Sequence, residues 1–190
     1  MACLQTAGKV QICAEALGGI NEILLVAFAD LDGTLTITSN EVADSSATFT
    51  AYRYKVRNTS GEKQGVTETA ELGGSGNFFK QAIEVVIPAQ TTADMLNFDA
   101  LVKGRVMAFV YANDGSVRCY GRTRGMEAES GEISTGKEMG DFNGYKLKLA
   151  GEEALPAYEV VDHTLIPLDD FTTVPLDNLS TATITYNPIY

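Results

Sequence analysis

The chain has 190 residues, 45% of them hydrophobic, and 14 Lys and Arg against 25 Asp and Glu, a net charge of −11. That length and apolar content suit one domain with a real core, while the negative balance excludes electrostatic capture of a phosphate backbone, which needs clustered positive charge. The longest apolar run, Ile23 to Ala29, falls short of the ~20 residues that cross a bilayer, and no basic-then-apolar signal pattern opens the chain, so a soluble, unexported protein is expected.

Cys3, Cys13 and Cys119 are an odd number without a C-x-x-C pair, and His163 is alone. Neither a disulfide framework nor a His-rich metal site is expected. The cysteines read as small buried hydrophobes in a reducing cytoplasm. Ile23–Ala29 reads as a strand, followed by Asp30-Leu31-Asp32-Gly33-Thr34. This run resembles the first motif of haloacid-dehalogenase phosphotransferases, which implies Asp30 as nucleophile, Asp32 as general acid/base and Mg²⁺ as counter-charge. That family needs a parallel sheet with helical crossovers, whereas residues 34 to 90 offer strand patterns. Asp32-Gly33 reads instead as the turn of a hairpin joining Ile23–Ala29 to Leu35–Ile37. No catalytic, cofactor-binding or metal-binding residue is expected, and the chain is not read as an enzyme.

Tyr52, Tyr54 and Val56 alternate with Arg53, Lys55 and Arg57, the period of a strand with one buried and one wet face. Asn58 to Gly65 reads as a surface loop. Ile83, Val85 and Ile87 form a second alternating strand that Pro88 ends. A helix follows: Thr91 and Asp94 resemble a capping box, Met95, Phe98 and Val102 share a face, and Lys103-Gly104 stop it. The continuous apolar run Val106–Tyr111 predicts a central strand covered on both faces, turning at Asn113-Asp114-Gly115 into Val117–Tyr120. Ser130 to Asn143 reads as a loop, and Tyr145, Leu147 and Leu149 alternate with Lys146 and Lys148 as a further strand.

After Gly151 the chain changes character. Residues 152 to 190 hold seven acidic residues, no Lys or Arg, and four of the five prolines, which block central strand positions. Val160, Val161, Leu165, Ile166, Phe171, Leu176, Ile184 and Tyr186 are too apolar for a solvating tail, so an extended arm docked on protein is expected. The expected build is mainly β, an antiparallel β-sandwich or barrel over residues 1–151 with one flanking α-helix, and an extended C-terminal arm over 152–190.

Three segments, Gly18-Gly19-Ile20-Asn21-Glu22-Ile23-Leu24-Leu25, Gly74-Ser75-Gly76-Asn77-Phe78-Phe79-Lys80-Gln81 and Met139-Gly140-Asp141-Phe142-Asn143-Gly144-Tyr145, resemble tail-tube-like (major tail) proteins of phages of Bacteroidetes, over roughly residues 10 to 160. The resemblance implies a virion structural subunit that assembles with itself, commonly as a hexameric ring and in stacked rings, beside other tail or connector proteins. It places the protein in the virion tail, made in the host cytoplasm, with DNA passing through the channel without specific binding and with no membrane partner. Edge-to-edge pairing of sheets would remove exposed strand edges, and an acidic lumen would repel DNA phosphates. The stripes Arg53/Lys55/Arg57 and Lys146/Lys148 would attract DNA, so they are expected away from the channel, at least one meeting acidic residues of a neighbouring subunit. A head-to-tail connector or a decoration protein is the related alternative, and the Asp30/Asp32 phosphatase the one from another class.

Overall fold

A computed structural model describes residues 18–30, 35–38, 41–45, 50–55, 64–73, 76–88, 92–160 and 183–186. Its strands are β1 (Ile20–Ala27), β2 (Leu35–Thr38), β3 (Glu41–Ser45), β4 (Thr50–Lys55), β5 (Gly65–Gly73), β6 (Gly76–Pro88), β7 (Arg105–Ala112), β8 (Val117–Tyr120), β9 (Met126–Ser134), β10 (Gly144–Glu153), β11 (Tyr158–Val160) and β12 (Thr183–Tyr186). The helix α1 spans Thr92–Lys103 and a short 3-10 turn Phe28–Asp30. The fold is mainly β, as its strand-forming periodicity predicts.

All twelve strands join one sheet, whose longest path runs β2-β3-β11-β8-β7-β9-β10-β6-β5, while β4 pairs β1 and β12, and β1 pairs β7. Two pairings, β3 with β11 and β4 with β12, are parallel; the other nine are antiparallel. The expected antiparallel sheet is therefore mixed, because two C-terminal strands return to seats beside N-terminal ones.

β7 is the hub, and its apolar run is covered on both faces as expected. Val106, Ala108 and Val110 enter one core with Ile23 and Leu25 of β1, Ile83 and Val85 of β6, and Leu147 and Leu149 of β10. Met107, Phe109 and Tyr111 enter a second core with Leu24, Val26, Val42, Val117, Cys119, Tyr158 and Val160. Alternation along β1 and β7 thus feeds two cores at once. The β7–β8 turn is as predicted: Asp114 accepts from the backbone N–H and hydroxyl of Ser116, which holds its carboxyl below its ordinary range, and Gly115 takes φ 85°.

Four expectations are corrected. Ile23–Ala29 and Leu35–Ile37 do not form a hairpin: β1 lies between β4 and β7, whereas β2 pairs β3 at the far edge, because the 3-10 turn redirects the chain. Ser130–Ser134 is not loop but the second half of β9, held by β10 although its side chains are mostly exposed. The helix buries Phe98 and Leu101 while Met95, Leu96 and Val102 stay exposed, because Phe98 stacks on Tyr145 at 4.9 Å and lies over Gly131, where a Cβ would come within 2.8 Å of its ring. Thr91 and the Asp94 side chain fall outside the described parts. Finally, the arm does not begin at residue 152. β10 runs to Glu153, and β11 sits between β8 and β3 with Val160 fully buried, since Tyr158 and Val160 complete the second core. Of the remaining arm, β12 lies beside β4 of the same chain.

Burial pushes the Cys119 thiol up to about 12, with nearby Glu153 adding to the effect and Arg122 opposing it. Unfolding frees a thiol that ionises near pH ~8.5, so the unfolded state then releases a proton the folded state keeps. Stability is full below about pH 8.5 and falls from there towards pH 12, by up to about 1.4 kcal/mol per unit for this group. Buried Tyr120, also raised mainly by burial, adds in the same direction at higher pH. Denaturant titrations at about pH 8 and about pH 10.5 check this; equal midpoints would refute it.

Candidate functional site

Strands β5, β6, β10 and β9 form an antiparallel four-stranded segment of the sheet that, among the described strands, has an unpaired edge along β5 and along most of β9. β5 ends the strand path, and β9 pairs β7 only through Met126 and Glu127, which leaves its Ala128–Ser134 edge open among the described strands. Exposed edges of this length template pairing with another chain. No described proline or lysine blunts β5, whose sequence is Gly-Val-Thr-Glu-Thr-Ala-Glu-Leu-Gly. Thr69 to Gly73 are exposed in succession, so water reaches both faces of this end of the strand. The hairpin also projects: Glu153 of β10 reaches only to Phe79 of β6, while β5 and β6 stay paired out to Gly73 and Gly76.

The base of the hairpin is fixed. Glu68 accepts from the Gln81 amide at 2.9 Å and from the Ala157 N–H at 2.8 Å, and Gln81, itself buried, accepts from the Gly121 N–H at 2.9 Å. Glu153 caps the adjoining turn by accepting from the N–H groups of Thr123 and Arg124. A two-stranded ribbon alone is marginal in water. These bonds hold the ribbon in place so that β5 can present an edge.

One face of the four strands packs on the core; the other is mostly polar, with Val86 buried on it opposite Lys146. In register across it lie Gly65, Glu84, Lys148 and Ser130. On this polar face Glu71, Glu84, Glu127, Glu129, Glu132 and Glu152 outnumber Lys80, Lys146 and Lys148 two to one. Lys148 pairs with Glu129 at 2.7 Å, which raises the amine and lowers the carboxyl from their ordinary values, and Lys146 lies over the Phe142 ring. Lys146 and Lys148 therefore meet partners within their own chain.

Arg53 departs most from its sequence reading. It is buried, not wet, and its guanidinium grips Glu22 across β1, Nε to Oε2 at 2.6 Å and Nη2 to Oε1. Tyr52, expected inside, is exposed instead, while Tyr54 is buried. The reason is the second core: Ala51 and Arg53 face it, so the alternation serves two buried sides and the charge is matched internally. Tyr111 lies across from Glu22, and burial first, then the Glu22 charge, holds its hydroxyl well above the ordinary tyrosine range against the opposing pull of Arg53. Lys55 and Arg57 lie outside the described side chains. So do Asp30 and Asp32; the strand preceding them has two antiparallel neighbours rather than the parallel ones the dehalogenase arrangement needs. Cys3, Cys13 and His163 also lie outside the described residues.

The open flanks of β5 and β9 were missed from sequence because both strands are mostly exposed and lack a hydrophobic period. The faint signal was the Thr67-Glu68-Thr69 alternation between Gly65 and Gly73. Comparison with protein-family models, with curated proteins and with solved structures finds no match to this chain.

Proposed function

We propose that this chain is a virion structural protein, the self-assembling subunit of a phage tail tube or tail ring whose channel passes DNA. The observation that carries this reading is the four-stranded segment whose two flanks, among the described strands, are open, since joining one flank to the opposite flank of the next copy closes a ring and covers both of these edges. The polar face supports it too. Its glutamates exceed its lysines, and Lys148 is already held by Glu129, so this face can line a channel without gripping phosphates. That moves Lys146 and Lys148 from outside the channel to its wall. Function then resides in repeated interfaces rather than in a reaction, and the phage assignment itself rests on the sequence resemblance.

Negative-stain microscopy of the purified protein is the test. Rings or stacked tubes are expected; single rings that never stack would favour a connector, and monomers at high concentration would overturn the reading.

A further inference from the structure

We infer that β5 of one copy pairs antiparallel with β9 of the next in a single register, Val66 opposite Ile133 and Thr69 opposite Ser130. This deepens the ring reading and rests on it. Antiparallel order follows from the sheet itself: β5 opposes β6, β6 opposes β10 and β10 opposes β9, so in a ring of like-oriented copies β9 meets a neighbouring β5 that runs the other way.

Side-chain alternation reduces the choices. Val66 on β5 packs on the core side. On β9, Ile133 and Gly131 share that side, since they oppose buried Tyr145 and Leu147. A pairing must keep core-side residues together, because a one-residue slip would turn every side chain over. That slip would also set Glu68 against Glu132, like charges directly opposite.

Ring closure fixes the remaining shift. Gly65, Glu84, Lys148 and Ser130 lie on one line across the subunit, so an unstaggered ring would set the neighbour's Gly65 beside Ser130. The upper end of β9 would then face residues before β5 begins, and Thr67 would fall opposite Glu127, which β7 already holds. With Thr69 opposite Ser130 the line climbs four residues across four strands. One residue per strand is the ratio of an eight-stranded barrel of shear eight, whose strands tilt ~36°. The neighbouring shifts that keep the faces aligned climb two or six residues and tilt the strands only ~20° or past about 45°, both outside the usual range. The ratio is the same for any number of copies, so the register does not presuppose a hexamer.

The direction of the shift is consistent as well. The two-residue turn closed by the Gly73–Gly76 pair points the backbone groups of Thr67, Thr69 and Glu71 towards β6. Seen from outside with the polar face inward, β9 then lies to the left of β5, and the right-handed coil of strands makes the cross-strand line meet the neighbour's β5 higher along its length rather than lower. In this register Gly65–Ser134, Val66–Ile133, Thr67–Glu132, Glu68–Gly131 and Thr69–Ser130 form a ladder up to the irregularity in β9 between Ser130 and Ala128, with no like charges opposed. Ile133, now 49% exposed, is covered by Val66.

The test is oxidative cross-linking of the full-length assembled chain, with Cys3→Ser, Cys13→Ser and Cys119→Ala as background. Val66→Cys with Ile133→Cys should convert most of the protein into covalent dimers and a ladder of higher oligomers on non-reducing gels, while either cysteine alone gives none. Val66→Cys with Ala128→Cys, opposed only in the unstaggered register because β9 skips Glu129 at its irregularity, should cross-link at least tenfold less. Rings that form without the first cross-link, or with the second dominating, overturn this register and leave the ring reading standing. If the unmodified chain stays monomeric, both fall together.

Discussion

Replacing Arg53 by methionine will cost the fold about 3–5 kcal/mol, because it strands the Glu22 carboxylate in the interior without its partner. The side chains of Arg53 and Glu22 are 2% and 5% exposed, and the guanidinium grips the carboxylate through two nitrogens. Glu22→Leu combined with Arg53→Met should recover most of the loss and come out near neutral or more stable, since two apolar groups need no desolvation of charge. Chemical denaturation of the two single variants and the double gives the coupling directly. Single variants that each lose less than about 1 kcal/mol would show that water reaches the pair. The same series separates this internal pair from the expected contact with another subunit: Arg53→Met should weaken folding of the monomer before any effect on assembly appears.

Truncation after Gly151 should abolish folding, whereas truncation after residue 182 should leave a folded domain. The first cut removes β11, and with it Tyr158 and Val160 from the second core and the strand on which β3 rests. Val42, fully buried, would lose the neighbour opposite it, and β2 and β3 would have no seat. Burial of side chains of this size is worth about 1.5–3 kcal/mol each, so the loss exceeds what a domain with a margin of ~5–15 kcal/mol carries easily. Of the described elements the second cut removes β12 alone, which adds four residues to the flank of β4. Circular dichroism and thermal melts of the two products distinguish a domain that ends at Gly151 from one that ends beyond Val160.

The elements legible in sequence were those whose periodicity matches burial. Val106–Tyr111 declared a strand covered on both sides, and Tyr145, Leu147 and Leu149 a strand with one wet face, because each side chain's environment follows from its position in the pleat. Tyr52–Arg57 misled for the converse reason. A strand with two buried sides carries a charge inside when another strand supplies the counter-charge, and Glu22 lies thirty-one positions away in the chain. β5 and the second half of β9 gave little signal since an exposed flank has no hydrophobic face to declare. The residues that make up the candidate interface were therefore the least legible part of the domain. β11 is only three residues long, and its value comes from the pairing partners on either side, which no local pattern records.

The seat of β3 against β11 also sets an order of events during synthesis. A ribosome delivers Glu41–Ser45 early, but the strand that receives them, Tyr158–Val160, leaves the exit tunnel only after nearly the whole domain has been made. Contacts this distant in sequence slow folding, and the nascent chain must carry its N-terminal strands unplaced until then. Chaperone dependence should accordingly be concentrated in the co-translational phase, and a circular permutant that brings β3 and β11 close in sequence should refold faster than the natural order.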